Sequence, residues 1–252
     1  MRIFVCLTAA ALLAGAVAAS AEEPAPPKSG FSETETRAIE DIVRDYLLAH
    51  PEVLLESMQR LEEKERLAKV EAQRAAIAAN LEALKRDPDS PVIGNPDGDV
   101  TLIEFFDYRC PYCRKVTADL MDAVDKDGGI RLVFKEFPIL GPDSMVAARA
   151  ALAAAQQDRY RDFHLALMTV PGQLDEPRIL ALAGDLGLDV DRLREDMGSE
   201  GVERQIRANH QLGRALQING TPAFIVGNEI VPGAVPMQQL LELVRRERAK
   251  TG

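Results

Sequence analysis

Histidine and cysteine are scarce in this sequence, at three residues each, and its 30 lysines and arginines are outnumbered by 40 aspartates and glutamates. A formal net charge of −10 argues against nucleic acid or an anionic membrane surface as the main partner, because both select basic patches. Tryptophan is absent, and no tandem repeat is visible. What remains is globular: 46% hydrophobic and 28% charged residues over 252 positions, enough for one large domain or two small ones.

The shortage of histidine bears on metals. His50, His164 and His210 have no close ligand spacing to any cysteine, whereas structural zinc takes four ligands. His164, in RDFHLALM, reads as a helix-face residue rather than a ligand. Met58, Met121 and Met168 read as core or helix-face positions. No metal ligand and no cofactor are assigned.

The shortage of cysteine deepens once the N-terminus is considered. MRIFVCLTAAALLAGAVAASA carries a short positive region at Arg2, continues through apolar or small residues from Ile3 to Ala19, and ends in Ala19-Ser20-Ala21, which fits the small-x-small rule of signal peptidase. The following AEEPAPPKSG lacks the basic flank of a retained anchor. Residues 1–21 therefore read as a cleaved signal peptide, and the chain as periplasmic. Cys6 lies inside the apolar run, too near the start for a lipoprotein acceptor. Cleavage leaves only Cys110 and Cys113. An oxidising compartment permits disulfide staples, yet none is available outside this pair. A bond across two intervening residues restrains little of the unfolded chain. A redox dithiol or a two-thiolate Cu(I) site is the better rationale.

Residues 22–30 are rich in Pro, Glu and Gly and read as a disordered leader. Residues 31–86 read as helical. Ser32 and Glu35 have capping-box spacing, and Ile39, Ile42, Val43, Tyr46 and Leu47 share one face. His50-Pro51 breaks this helix. In the next, Leu54, Met58 and Leu61 form a stripe that EEKER (Glu62–Arg66) interrupts. It resumes out of phase as Leu67, Val70, Arg74, Ile77, Leu81 and Leu84, as a stutter or hinge would make it. Such a stripe packs either on the main domain or on further copies of the chain.

Residues 87–99 form a Pro/Gly/Asp-rich linker. Val100–Phe106 reads as a strand, followed by a helix to about Lys126, a turn at Asp127-Gly128-Gly129 and a strand over Ile130–Phe137. Strand, helix, strand implies parallel pairing. Residues 143–216 read as a helical insertion. In residues 217–252, Ala223–Val226 and Glu229–Val231 read as a hairpin, and Pro236 opens a last helix.

Cys110 falls at the strand-to-helix turn, with Pro111 at a favoured first helical position. The free N–H groups and partial positive charge of a helix start stabilise a thiolate, the nucleophile of disulfide exchange. Cys113 lies three residues on, within reach of the first sulfur. Glu104 is out of place in an apolar strand. It is either an outward residue of an edge strand or a buried carboxylate that moves the Cys113 proton, with Lys135 as a candidate partner. Thr221-Pro222, just before a strand, is a candidate cis peptide.

EFFDYRCPYC, VFKEFPILGPDS with its Ala-rich helix, and NGTPAFIVGN with a final helix resemble, in order and spacing, the DsbA-like branch of the thioredoxin superfamily. The resemblance implies an α/β thioredoxin fold with an inserted helical domain. It implies Cys110 as nucleophile, Cys113 as resolving thiol, Glu104 and Lys135 as a buried charged pair, and Pro222 as a cis proline. Pro111, Tyr112, Thr221 and Pro222 fall on its substrate-binding side. In layout, the N-terminal helical extension is similar to that of ScsC, the suppressor-of-copper-sensitivity proteins. That likeness implies a homo-oligomer, a trimer favoured, which acts on misoxidised exported proteins and is kept reduced by a membrane-bound partner reductase. The Pro-Tyr spacer lacks the histidine of the strongly oxidising DsbA enzymes, so a disulfide isomerase or reductase is expected. A dithiol oxidase and a copper-binding module are the alternatives.

Overall fold

The structure is a computed structural model that describes residues 30–251. The expected signal peptide and leader, up to residue 29, lie outside the described residues. The chain divides into two compact units, Met1–Leu61 and Glu62–Gly252.

In the first unit, α1 (Glu33–Ala49) starts at Ser32, whose hydroxyl accepts from the Glu35 N–H while the Glu35 carboxylate accepts from the Ser32 N–H at 2.8 Å. Both are orphan donors of a helix start, satisfied reciprocally. The helix stops at His50, before Pro51. None of its residues is buried. Ile39, Ile42, Val43 and Tyr46 are exposed, as are Leu54, Leu55, Met58 and Leu61 of the following helix. That helix, α2 (Glu52–Ala79), is unbroken through Glu62–Arg66, so the shift of phase there is no break in the backbone. Its charges lie on a solvated face, with Arg66 on Glu63 at 2.7 Å.

The second unit takes in the end of α2. Ile77 of α2 and Leu84 of α3 (Leu81–Lys85) are 1% and 0% exposed in its core. Residues up to 86 were expected in a helical region of their own; these two apolar side chains pack in the core of the second unit. Five strands follow: β1 (Val92–Gly94), β2 (Val100–Phe106), β3 (Ile130–Glu136), β4 (Ala223–Val226) and β5 (Glu229–Pro232). Their order is β1-β3-β2-β4-β5, with β2 and β3 parallel and the other pairs antiparallel. α4 (Pro111–Asp127) makes the parallel crossover and ends on left-handed Gly128. β1 was expected to be linker. The three residues Val92–Gly94 carry no readable alternation, and Gly94 is needed there. At φ +83, a Cβ on it would meet the Ile130 carbonyl at 2.5 Å.

The insertion holds α5 (Pro142–Ala155), α6 (Tyr160–Thr169), α7 (Glu176–Asp185), α8 (Val190–Met197) and α9 (Glu200–Ala215), and α10 (Met237–Thr251) closes the chain. Asp175, Asp189 and Ser199 cap α7, α8 and α9. Strand alternation sorts the core into two. Leu102, Phe106 and Phe134 join Cys113, Leu120, Phe163 and Leu240. Ile103, Phe105 and Val133 face Ile77, Leu84, Leu212 and Leu216 on the other side. Each fully buried phenylalanine contributes about 1.5–3 kcal/mol.

Candidate active site

The site begins where β2 ends. The Asp107 carboxylate is buried and collects four donors: Arg109 N–H at 2.7 Å, the Ser144 hydroxyl at 2.8 Å, and the Ile139 and Leu140 N–H groups at 2.8 and 3.0 Å. This fixes the turn that presents Cys110. Cys110 is the N-cap of α4: its sulfur accepts from the Cys113 N–H at 3.4 Å, and Pro111 occupies the first turn. Opposite lies the cis peptide Thr221-Pro222, and the Cys110 thiol donates to the Thr221 carbonyl at 3.2 Å.

The two thiols are free and chemically unlike. Hydrogen bonding from Cys113, opposed by burial and aided by the Thr221 side chain and the Cys113 and Tyr112 backbone, lowers Cys110 to about 5. The Thr221 carbonyl by itself favours the thiol form, and the donors at the helix start outweigh it. Cys113 is driven the other way by burial first, then by its bond to Cys110 and the charge of Glu104. One sulfur is a thiolate at neutral pH and its neighbour holds its proton. Tyr112, between them, is 63% exposed.

Glu104 is 1% exposed, and burial with the Cys110 charge raises its carboxyl to about 8. One of its oxygens has no hydrogen-bond partner among the described residues. Lys135 does not meet it. In the parallel register Glu104 pairs with Phe134, and Lys135 with Phe105, so the two side chains leave the sheet on opposite faces. Lys135 donates instead to the Ala83 carbonyl at 2.6 Å, Asp87 at 3.0 Å and Ser90 at 2.6 Å. The expected buried pair is thus corrected: Lys135 ties the segment after α2 to β3, and Asp87 is its counter-ion.

Sequence reasoning missed a buried polar cluster on the Glu104 face. Glu136, two places beyond Phe134, accepts from Tyr108 at 3.1 Å and Tyr160 at 2.9 Å, and Tyr108 also meets His164 Nδ1 at 3.0 Å. His164 lies on the buried face of α6, and burial lowers it to about 3. Burial likewise raises Glu136 well above the usual carboxylate range. The signal was parity: Glu136 pairs with Phe106, which shares its face with Glu104.

Among the described residues no group of three or more His, Cys, Asp or Glu side chains is placed to hold a metal, and no helix is long and apolar enough to cross a membrane.

The family described as DSBA-like thioredoxin domain matches residues 101–245, and the one described as Copper resistance protein ScsC N-terminal domain matches residues 35–68. The chain is 25% identical over 169 residues to Disulfide bond formation protein D of Bacillus subtilis (strain 168), covering 62% of this chain and 76% of that one. A thioredoxin-like oxidoreductase from Silicibacter pomeroyi DSS-3 is 48% identical, with TM-score 0.65, over 67% of this chain and 97% of that chain. Proteus mirabilis ScsC in a transitional conformation is 29% identical, with TM-score 0.65, over 87% of this chain and 100% of that chain. The chain also matches Na(+)/H(+) antiporters, of which it spans only a part: 26% of the length of NhaA 1 from Salinispora arenicola (strain CNS-205), at 29% identity.

Proposed function

We propose that this chain, which belongs to the DsbA-like thioredoxin-domain family, is a periplasmic disulfide isomerase or reductase of exported proteins, with Cys110 as nucleophile and Cys113 as resolving thiol. The coarser activity, thiol–disulfide oxidoreductase of the DsbA and ScsC type, follows from the family and its solved relatives. The observation that supports the two cysteine roles is the asymmetric dithiol, a lowered Cys110 on the N-cap of α4 beside a raised, fully buried Cys113, and the choice of isomerase or reductase leans on the exposed helical extension.

The Cys110 thiolate attacks one sulfur of a substrate disulfide. A Cys110–substrate bond forms, the substrate S–S bond breaks, and the second substrate sulfur leaves as a thiolate, which takes a proton unless it attacks again. In isomerisation that thiolate attacks another substrate disulfide, and a substrate thiolate finally displaces Cys110, with no net oxidation. In reduction Cys113 gives up its proton and attacks the Cys110 sulfur. The substrate leaves with two electrons, and Cys110–Cys113 becomes the disulfide. A carboxyl poised near 8, as Glu104 is, suits transfer of that proton in either direction. A membrane-bound reductase is the proposed source of electrons for the next turn.

The exposed apolar face of α1 and early α2, in the stretch matching the ScsC N-terminal domain, supports self-association. Several sites would then surround one substrate at high effective concentration. A second reading, dithiol oxidase, is favoured by the same low Cys110 value, since stabilising the reduced thiolate makes a couple more oxidising.

Refolding assays separate the two. Faster recovery of a scrambled disulfide protein than of its fully reduced form supports isomerase, and the reverse order supports oxidase. Tight Cu(I) binding with background exchange would replace both with the copper module.

A further inference from the structure

The far half of α2 runs past the active site. Ile77 is anchored in the core beneath β4, with Ala223, Ile225 and partly buried Ile230 in the same cluster. Gln73 and Lys69 lie one and two turns before it on the same helical face. There they form a wall of a groove of about 320 Å³, whose other lining includes Asn219, Thr221, Pro222 and Ile230. Thr221 is the residue whose carbonyl meets Cys110 at 3.2 Å. Thr221 thus both lines the groove and touches the Cys110 sulfur, which is not itself part of the lining. Lys69 is the single charged residue of its lining. It is exposed and has no ion-pair partner among the described residues, and neither has Arg74 in the adjoining hollow.

We infer that this groove receives the polypeptide next to the substrate's reacting cysteine, and that Lys69 on α2 selects segments carrying Asp or Glu there. The inference rests on the proposed attack by Cys110. A chain of net charge −10 repels acidic substrates at long range. An unpaired cation in the groove lined by Thr221 and Pro222 offsets that repulsion where the substrate docks. The groove has no carboxylate to attract basic segments in the same way. The helix thus serves the catalytic body as a specificity wall, a role separate from any assembly through its earlier turns.

The test compares the full chain with Lys69→Glu, using three disulfides: one peptide with aspartates flanking its cysteine, one with lysines there, and uncharged bis(2-hydroxyethyl) disulfide. The substitution is expected to lower kcat/KM about fivefold on the acidic peptide and to raise it on the basic one, leaving the uncharged disulfide unchanged. Arg74→Glu should shift the peptides in the same direction, less strongly. Equal response of both peptides to Lys69→Glu overturns the inference. If the unsubstituted protein fails to exchange with the uncharged disulfide, the redox reading falls instead.

Discussion

Cys110 and Cys113 differ because one sulfur caps a helix and the other is enclosed by the core. Cys110→Ser should abolish exchange, whereas Cys113→Ser should accumulate mixed disulfides through Cys110, seen as adducts by mass spectrometry. Equal trapping by both would reverse the assignment. With Cys110 at about 5, the rate of attack should rise as pH passes through 5 and then level off. Because this folded value lies below that of a free thiol, near 8.5, the thiolate stabilises the fold at alkaline pH, and that contribution is lost as pH falls through 5. Glu104 acts with the opposite sign. Its folded value of about 8 lies above the unfolded 4.5, so its contribution is whole below 4.5 and is lost as pH rises through 8. Glu104→Gln should therefore raise the melting temperature more at pH 8 than at pH 4, while slowing resolution by Cys113. A melting gain independent of pH would mean the carboxyl is already ionised at rest. The cysteines and the odd placement of Glu104 were legible as letters. The partner of Lys135 was not, because face depends on register and a shift of one place moves a side chain through the sheet.

Elements with strong local signals follow the sequence closely. β2 covers Val100–Phe106 as the apolar run indicated, and the α1 cap forms from Ser32 and Glu35. β1 escaped because its three residues are held by pairing with β3 rather than by any pattern of their own. The end of α2 and α3 escaped because helical periodicity reports a stripe without naming what covers it. Leu84→Ala should test that cover: it is 0% exposed, so its loss should cost about 2–5 kcal/mol in urea unfolding. Lys135→Met should also weaken the fold, by stranding Asp87, yet leave the pH dependence attributed to Glu104 in place. A shift of that dependence would restore the pair expected from the sequence.

At the scale of the molecule, the proposed isomerase depends on the number of chains. Ile42 and Leu54 are 68% and 51% exposed, and both have apolar neighbours. The double substitution Ile42→Glu, Leu54→Glu is expected to reduce the mass in solution to that of one chain. It should spare exchange with a small disulfide and slow recovery of a scrambled protein. A monomeric unsubstituted protein by light scattering would remove the assembly argument. The family could be read from short motifs spread along the chain, since their order and spacing mirror the order of the elements. The cluster of Glu136, Tyr108, Tyr160 and His164 could not, because it joins residues from three distant stretches that only packing brings together.

Asp107 carries a consequence of its own. Its carboxylate holds the turn before Cys110, the strand-to-insertion loop at Ile139-Leu140 and the start of α5 at Ser144. The insertion and the nucleophile therefore share one fastening. Any displacement of the insertion at Ile139, Leu140 or Ser144 would therefore act on the same carboxylate that holds the turn before Cys110.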